Sequence, residues 1–189
     1  MPIADPVIYL KKSLKSIWKY PKPGNLISYI RLYPDWKEHL KPGRNSVDDR
    51  MPWISFDAID YLKKIARPNM RVFEYGSGGS TMFWISRVQE LISVEHDLSW
   101  YSRMKSILDR QTSGNFKFIL AEPTSDIGFE EKKFENPSDF ISGDDSYKGK
   151  SFENYARVID QFPDNYFDII IVDGRARPSC IQQGIPKLK

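Results

Sequence analysis

A glycine-rich turn and the carboxylates that follow it have the residue types and spacing to hold a ligand. Residues 71–75 (Arg-Val-Phe-Glu-Tyr) read as a short strand running straight into Gly76-Ser77-Gly78-Gly79-Ser80-Thr81. Glycines there permit a tight turn and let a ligand approach the backbone, and the helix expected next offers free N–H groups. Glu95 stands 21 residues after Glu74, at the end of the next expected strand, Leu91 to Glu95. A carboxylate in that place presents two acceptor oxygens, which suits the paired hydroxyls of a ribose. Asp173 closes a near-continuous apolar run, Phe167 to Val172, and precedes Gly174. By itself Gly76-x-Gly78 is a weak signal, because short glycine turns end many strands. Its weight comes from Glu95 and Asp173.

Each of these residues also has a plainer reading. Glu74 would satisfy backbone donors near a strand end, and Asp173 is a common turn former before glycine. His96 reads as an ordinary polar loop residue. Arg175 and Arg177 either form an anion pocket or simply open the next helix. Trp84 and Trp100 are expected in the core, and Cys180 as a small buried hydrophobe. His39, His96 and Cys180 lack ligand spacing, so no metal site is expected.

The elements that must position these residues alternate. Ile54, Ala58, Tyr61, Leu62 and Ile65 recur at helical spacing, and Pro68-Asn69 stops that helix. Helical faces also follow the glycine turn (Thr81, Trp84, Ile85, Val88) and the second strand (Trp100, Met104, Ile107, Leu108). Phe116 to Ala121 reads as a third strand. Residues 122–150 are polar, acidic and turn-rich, and a loop that long is functional or poorly ordered. Phe152, Tyr155, Ile159 and Phe162 restore helical spacing, and Phe167 to Val172 reads as a strand buried on both faces. The expected fold is α/β: a Rossmann-like, doubly wound, mostly parallel sheet with helices on both faces.

Val-Phe-Glu-Tyr-Gly-Ser-Gly-Gly-Ser-Thr resembles the first motif of class I S-adenosylmethionine-dependent methyltransferases. Ser-Val-Glu-His-Asp resembles their second, and Asp-Ile-Ile-Ile-Val-Asp-Gly their fourth; together they span residues 71–175. The resemblance implies S-adenosyl-L-methionine as cofactor, with Gly76, Ser77, Gly78, Ser80 and Thr81 around its turn. It implies Glu74 near the methionine amino group, Glu95 on the ribose, His96 or a nearby apolar side chain beside the adenine, and Asp173 at the reaction centre. Asp173 would serve there as a base or only orient ligands. The turn departs from the family at Ser80, where a third glycine is usual. A nicotinamide-binding Gly-x-Gly-x-x-Gly is disfavoured because Thr81 holds its third glycine position.

In that family the sheet continues with further strands, whereas this chain ends at Gly184-Ile185-Pro186-Lys187-Leu188-Lys189. The expectation is therefore a sheet shortened after its fourth strand, with an unprotected edge. The acceptor is expected to be a small molecule or a glycan. An aminopropyltransferase on the same fold, or a non-catalytic nucleotide-binding module, remain alternatives.

Composition narrows the partners. The formal charge of +3 over 189 residues gives no warrant for nucleic-acid binding. Charge is uneven, however: residues 1–50 hold ten Lys or Arg against five Asp or Glu, and residues 121–150 hold four against eight. Residues 1–50 are expected to form a helical arm and linker ahead of a main domain at 51–189. The arm's helices are expected at residues 7–20 and around Leu26 to Leu32, with breaks at Pro21, Pro23, Gly24 and Pro34. Residues 41–52 read as a linker or flexible loop. The basic arm is either a solvated surface or a contact for an anionic one such as a membrane. A lone cysteine, no signal-like apolar run before Lys11, Lys12 and Lys15, and no membrane-length apolar stretch point to the cytoplasm. Oligomeric state is not legible.

Overall fold

Runs of β-branched and aromatic residues build the sheet at the centre of this computed structural model, which describes residues 6–19, 25–39, 41–111 and 113–189, apart from the side chains at 25, 26, 28 and 39. The strands are β1 (Arg71–Tyr75), β2 (Glu90–Glu95) and β3 (Phe116–Leu120), then a small ribbon of β4 (Thr124–Ser125) with β5 (Lys150–Ser151), and finally β6 (Ile169–Val172). β1, β2, β3 and β6 form one parallel sheet in the order β3-β2-β1-β6. Register places Phe73 beside Ile92 and Ile170, and Tyr75 beside Val94 and Val172.

Side-chain alternation divides the sheet into two faces. Phe73, Tyr75, Ile92 and Val94 pack with Phe152, Tyr155, Ile159, Phe167 and Cys180. These come partly from α6 (Glu153–Ala156) and α7 (Arg177–Gly184). Val72, Glu74, Leu91 and Ser93 point the other way, toward α4 (Gly79–Trp84) and α5 (Leu98–Leu108), whose Trp84, Met104 and Leu108 are buried. Each such large apolar side chain contributes about 1.5–3 kcal/mol on burial. The fold is a Rossmann-like α/β sheet with helices on both faces.

A further helix, α3 (Phe56–Ile65), precedes β1; Ser55 caps it by accepting from Ala58 N. Its buried position is Ile59, while Tyr61 and Ile54 are exposed, so its inner face is turned from the expected one. The described residues fall into two compact units, within 1–49 and at 50–189. The first holds α1 (Pro6–Lys19) and α2 (Asn25–His39). The breaks expected at Pro21, Pro23 and Gly24 and the side chain of His39 lie outside the described residues.

The structure corrects several expectations. α2 does not end near Pro34 but runs through it to His39. The proline removes one backbone hydrogen bond, and packing offsets this: the Tyr9 ring lies 5.2 Å from Tyr33 and 4.8 Å from Trp36. Residues 41–52 form turns without helix or strand, and within them Arg44 pairs with Asp49 (2.5 Å) and with Glu38 (2.7 Å). Residues 122–150 carry the β4–β5 ribbon, and Phe140 and Ile141 are buried within them. β6 is half-buried along its length instead of enclosed on both faces, as its place at a sheet edge dictates. At its base Phe167 bridges to Leu188. The helix expected over Phe152 to Phe162 is one α-helical turn, α6, continued as a 3-10 helix from Arg157 to Gln161.

Candidate functional site

The chain reverses its winding at β1, with β2 and β3 on one side and β6 on the other. Such a reversal opens a crevice at the carboxyl ends of the strands, where ligands of open α/β sheets bind. The segments that emerge there are Gly76–Thr81 after β1, Glu95–Asp97 after β2, and Asp173–Arg177 after β6. The topology therefore gathers the residues singled out in the sequence at one end of the sheet.

Gly76 holds the turn by geometry that other residues do not reach. Its φ is +92°, and a Cβ there would come within 2.9 Å of the backbone of Asp173 and Gly174. Its N–H donates to the Val94 carbonyl, and the Asp173 N–H to that of Tyr75, each at 2.9 Å. At Gly78 a Cβ would meet nothing within 4 Å. That side of the turn is open. α4 has only six residues, so its N-terminus adds little of the dipole expected for anion binding. Grip on a ligand would have to come from the turn and the side chains.

Glu74 lies beneath the turn and is fully buried. Its Oε2 accepts from the Thr81 hydroxyl at 2.6 Å and the Ser93 hydroxyl at 2.7 Å. Thr81 Oγ1 in turn accepts from Gly78 N at 2.9 Å, which links the acid to the turn. Glu74 Oε1 has no hydrogen-bond partner. Burial pushes this carboxyl up from 4.5 to about 7, more than the hydroxyls of Ser80, Thr81 and Ser93 pull it down.

Glu95, also buried, is supplied differently. Oε2 accepts from the Ser77 N–H (3.1 Å) and hydroxyl (2.8 Å). Oε1 accepts from the backbone N–H groups of His96 (2.7 Å) and Asp97 (3.0 Å). Burial raises its pKa, but interactions with His96, Asp97 and Ser77 outweigh this and hold it below the ordinary carboxylate value. Glu95 ties the glycine turn to the end of β2.

His96 does not sit in an open loop. Its Nε2 is 2.9 Å from the Tyr147 hydroxyl, and its ring packs against Tyr147, Phe152 and Tyr155 at 5.2–5.7 Å. Its Nδ1 lies 2.9 Å from Glu95 Oε1, the largest of the contacts that lower the Glu95 pKa. Asp173 is exposed and paired with Arg177 at 2.9 Å; Arg175 pairs with Asp144 at 2.9 Å. Arg177 also opens α7, so both arginines are matched by carboxylates instead of forming a free anion pocket. A 390 Å³ cavity adjoins them, lined among others by Phe134, Ile141, Asp144, Gly174 and Arg175.

Sequence reasoning missed Ser93 and Tyr147, and it placed Trp100 in the core. Ser93 interrupts an apolar strand in register with Glu74, a polar pair visible once the parallel register is known. Trp100 is half-buried, and its indole N–H donates to the Ser77 carbonyl at 2.9 Å, bracing the turn. It arrives there because Asp97 caps α5 by accepting from Trp100 N. Tyr147 comes from the long acidic segment and carried no signal of its own.

No protein-family model and no curated protein matches this sequence. Among solved structures the chain is similar to the YcgJ protein of Bacillus subtilis, at 18% identity and a TM-score of 0.41. The likeness covers 69% of this chain and 44% of that one, so the chain spans less than half of that structure. A likeness of this degree carries no argument, and the Rossmann-like fold rests on the strand order and register given above.

Proposed function

We propose that this chain binds S-adenosyl-L-methionine at the carboxyl end of its sheet and acts as a methyltransferase on a small-molecule or glycan-type acceptor. The observation that carries the reading is the meeting of the Gly76–Gly78 turn, Glu95 and Asp173 at one switch point between parallel strands. The residues fit the cofactor in three places. Open space over Gly78 admits a ligand against the backbone. Glu74 Oε1, buried without a partner, suits the ammonium of a methionine moiety, met directly or through water. Glu95 suits a ribose if the Ser77 hydroxyl rotates away, since that hydroxyl occupies one of the carboxylate's acceptor sites.

The sulfonium, when bound, supplies an electrophilic methyl group without help from the protein. The chain's own part is positioning: the turn and Glu95 fix the nucleoside, and Glu74 fixes the amino-acid end. Asp173, with the cavity beside Gly174, would orient the acceptor or take its proton. His96 and its aromatic neighbours would border the adenine. Thr81 disfavours a nicotinamide, because its buried side chain fills the third glycine position and bonds both Glu74 and Gly78.

Calorimetric titration with S-adenosylhomocysteine and, separately, NADH tests this reading. Saturable binding of the first and none of the second is expected. The reverse pattern would sink the reading, and binding of neither would leave a non-catalytic module.

A further inference from the structure

The α1–α2 unit carries a surface that the proposed chemistry does not use. Leu10, Leu14 and Trp18 follow one another at four-residue spacing on α1 and are 51%, 52% and 88% exposed. Four-residue spacing stacks them along one side of the helix. The adjoining side, with Ser13 buried and Tyr9, Ser16 and Ile17 half-buried, faces inward. Leu10 and Leu14 also line an apolar groove of 260 Å³ with Ile30 of α2, itself 66% exposed. The apolar strip is thus shared by both helices.

Charge lies beside that strip. α1 holds Lys11, Lys12, Lys15 and Lys19 and no acidic residue. Lys11 and Lys15 each follow directly after an exposed leucine, Leu10 and Leu14. A helix with an exposed apolar strip, an exposed tryptophan and flanking lysines has the composition of one that lies in a membrane interface. Among the described residues no helix is long and apolar enough to cross a membrane, so the contact would be peripheral.

We infer that α1, with Ile30 of α2, docks this chain onto an anionic phospholipid surface. Leu10, Leu14 and Trp18 enter the headgroup boundary while Lys11 and Lys15 meet lipid phosphates. A second copy meeting this one strip to strip would set lysine against lysine, whereas lipid phosphates neutralise the flank. The charge is what selects the lipid. This inference does not rest on the cofactor reading, and either can fail alone.

The test is co-sedimentation of the full chain with phosphatidylcholine vesicles, with and without phosphatidylglycerol. The chain should pellet with the anionic vesicles, less with the neutral ones, and less as salt rises. Leu14→Glu with Trp18→Glu should weaken pelleting about tenfold or more, because the apolar strip drives insertion. Lys11→Glu with Lys15→Glu, which alters only exposed charge, should weaken it comparably and remove the preference for anionic lipid. No pelleting with anionic vesicles, or pelleting unmoved by the lysine pair, would overturn the inference. So would a concentration-dependent dimer of the vesicle-free chain that the Leu14 and Trp18 pair dissolves. S-adenosylhomocysteine titration of the same variants reports on the other site and should not change.

Discussion

The ends of β1 and β2 present two buried carboxylates a strand apart, and they behave in opposite ways. Glu95 receives four donors on two oxygens, and its pKa falls despite burial. Glu74 receives two donors on one oxygen, leaves the other bare, and is pushed up to about 7. Desolvation raises both; at Glu95 the His96 side chain, 2.9 Å from Oε1, and the donors of Asp97 and Ser77 reverse the sign. Glu95 is therefore built as an anion that latches the turn. Glu74 is an acid held short of a partner, as suits a residue awaiting a cationic ligand.

The largest expected effect comes from breaking the scaffold both acids share. Gly76→Ala would force a side chain to φ +92° and to 2.9 Å from the Asp173 backbone. A loss of about 3 kcal/mol in urea denaturation is expected from strain and overpacking together. A loss under about 1 kcal/mol would mean that the turn yields freely.

Next in size is the pH dependence that separates the two acids. The folded chain holds the Glu74 proton more tightly than the unfolded chain does. Stability from this group is therefore complete below pH 4.5 and declines as pH rises to about 7. At about 1.4 kcal/mol per unit of pKa, the decline is on the order of 3 kcal/mol. Glu74→Gln should flatten that stretch of the denaturation profile. Glu95 has the opposite sign: its contribution is present above its unfolded value and lost as pH falls below it. Glu95→Gln should blunt loss on the acid side and leave the decline toward neutrality in place.

Ligand binding sharpens the contrast. An ammonium beside Glu74 favours its ionised form, so binding of S-adenosylhomocysteine should tighten as pH rises toward about 7. Glu74→Gln should remove that slope, as read by titration across pH. The smallest effect is expected for Ser77→Ala, which removes only the hydroxyl that a ribose would displace. Its affinity for S-adenosylhomocysteine should stay within about threefold of the parent, less than the ~1 kcal/mol of an ordinary hydrogen bond. A larger loss would place the Ser77 hydroxyl itself on the ligand.

The fold was largely legible because its signals are local. The Arg71–Tyr75 strand, the glycine turn and the Phe116 strand need only composition and alternation to be read. Pro34 misled because aromatic packing by Tyr9 and Trp36 overrides a local breaker. β6 misled because an apolar run does not reveal whether the strand lies at an edge. Within the candidate site, the convergence of Glu74, Glu95 and Asp173 at one end of the sheet was visible from spacing along the chain. The difference between the two glutamates was not, since it depends on Ser93 across a strand and on Ser77 folding back. Trp100 and Tyr147 were hidden for the same reason, as their contacts span 23 and 51 residues.

The most direct test of the account is calorimetric titration of S-adenosylhomocysteine into wild-type chain and Glu95→Ala, each first shown folded by near-ultraviolet circular dichroism. Saturable binding is predicted for the wild type, weakened by about 1.5–3 kcal/mol, or roughly ten- to a hundredfold, in the variant. Equal affinity in a folded variant would take Glu95 out of the site and contradict the account.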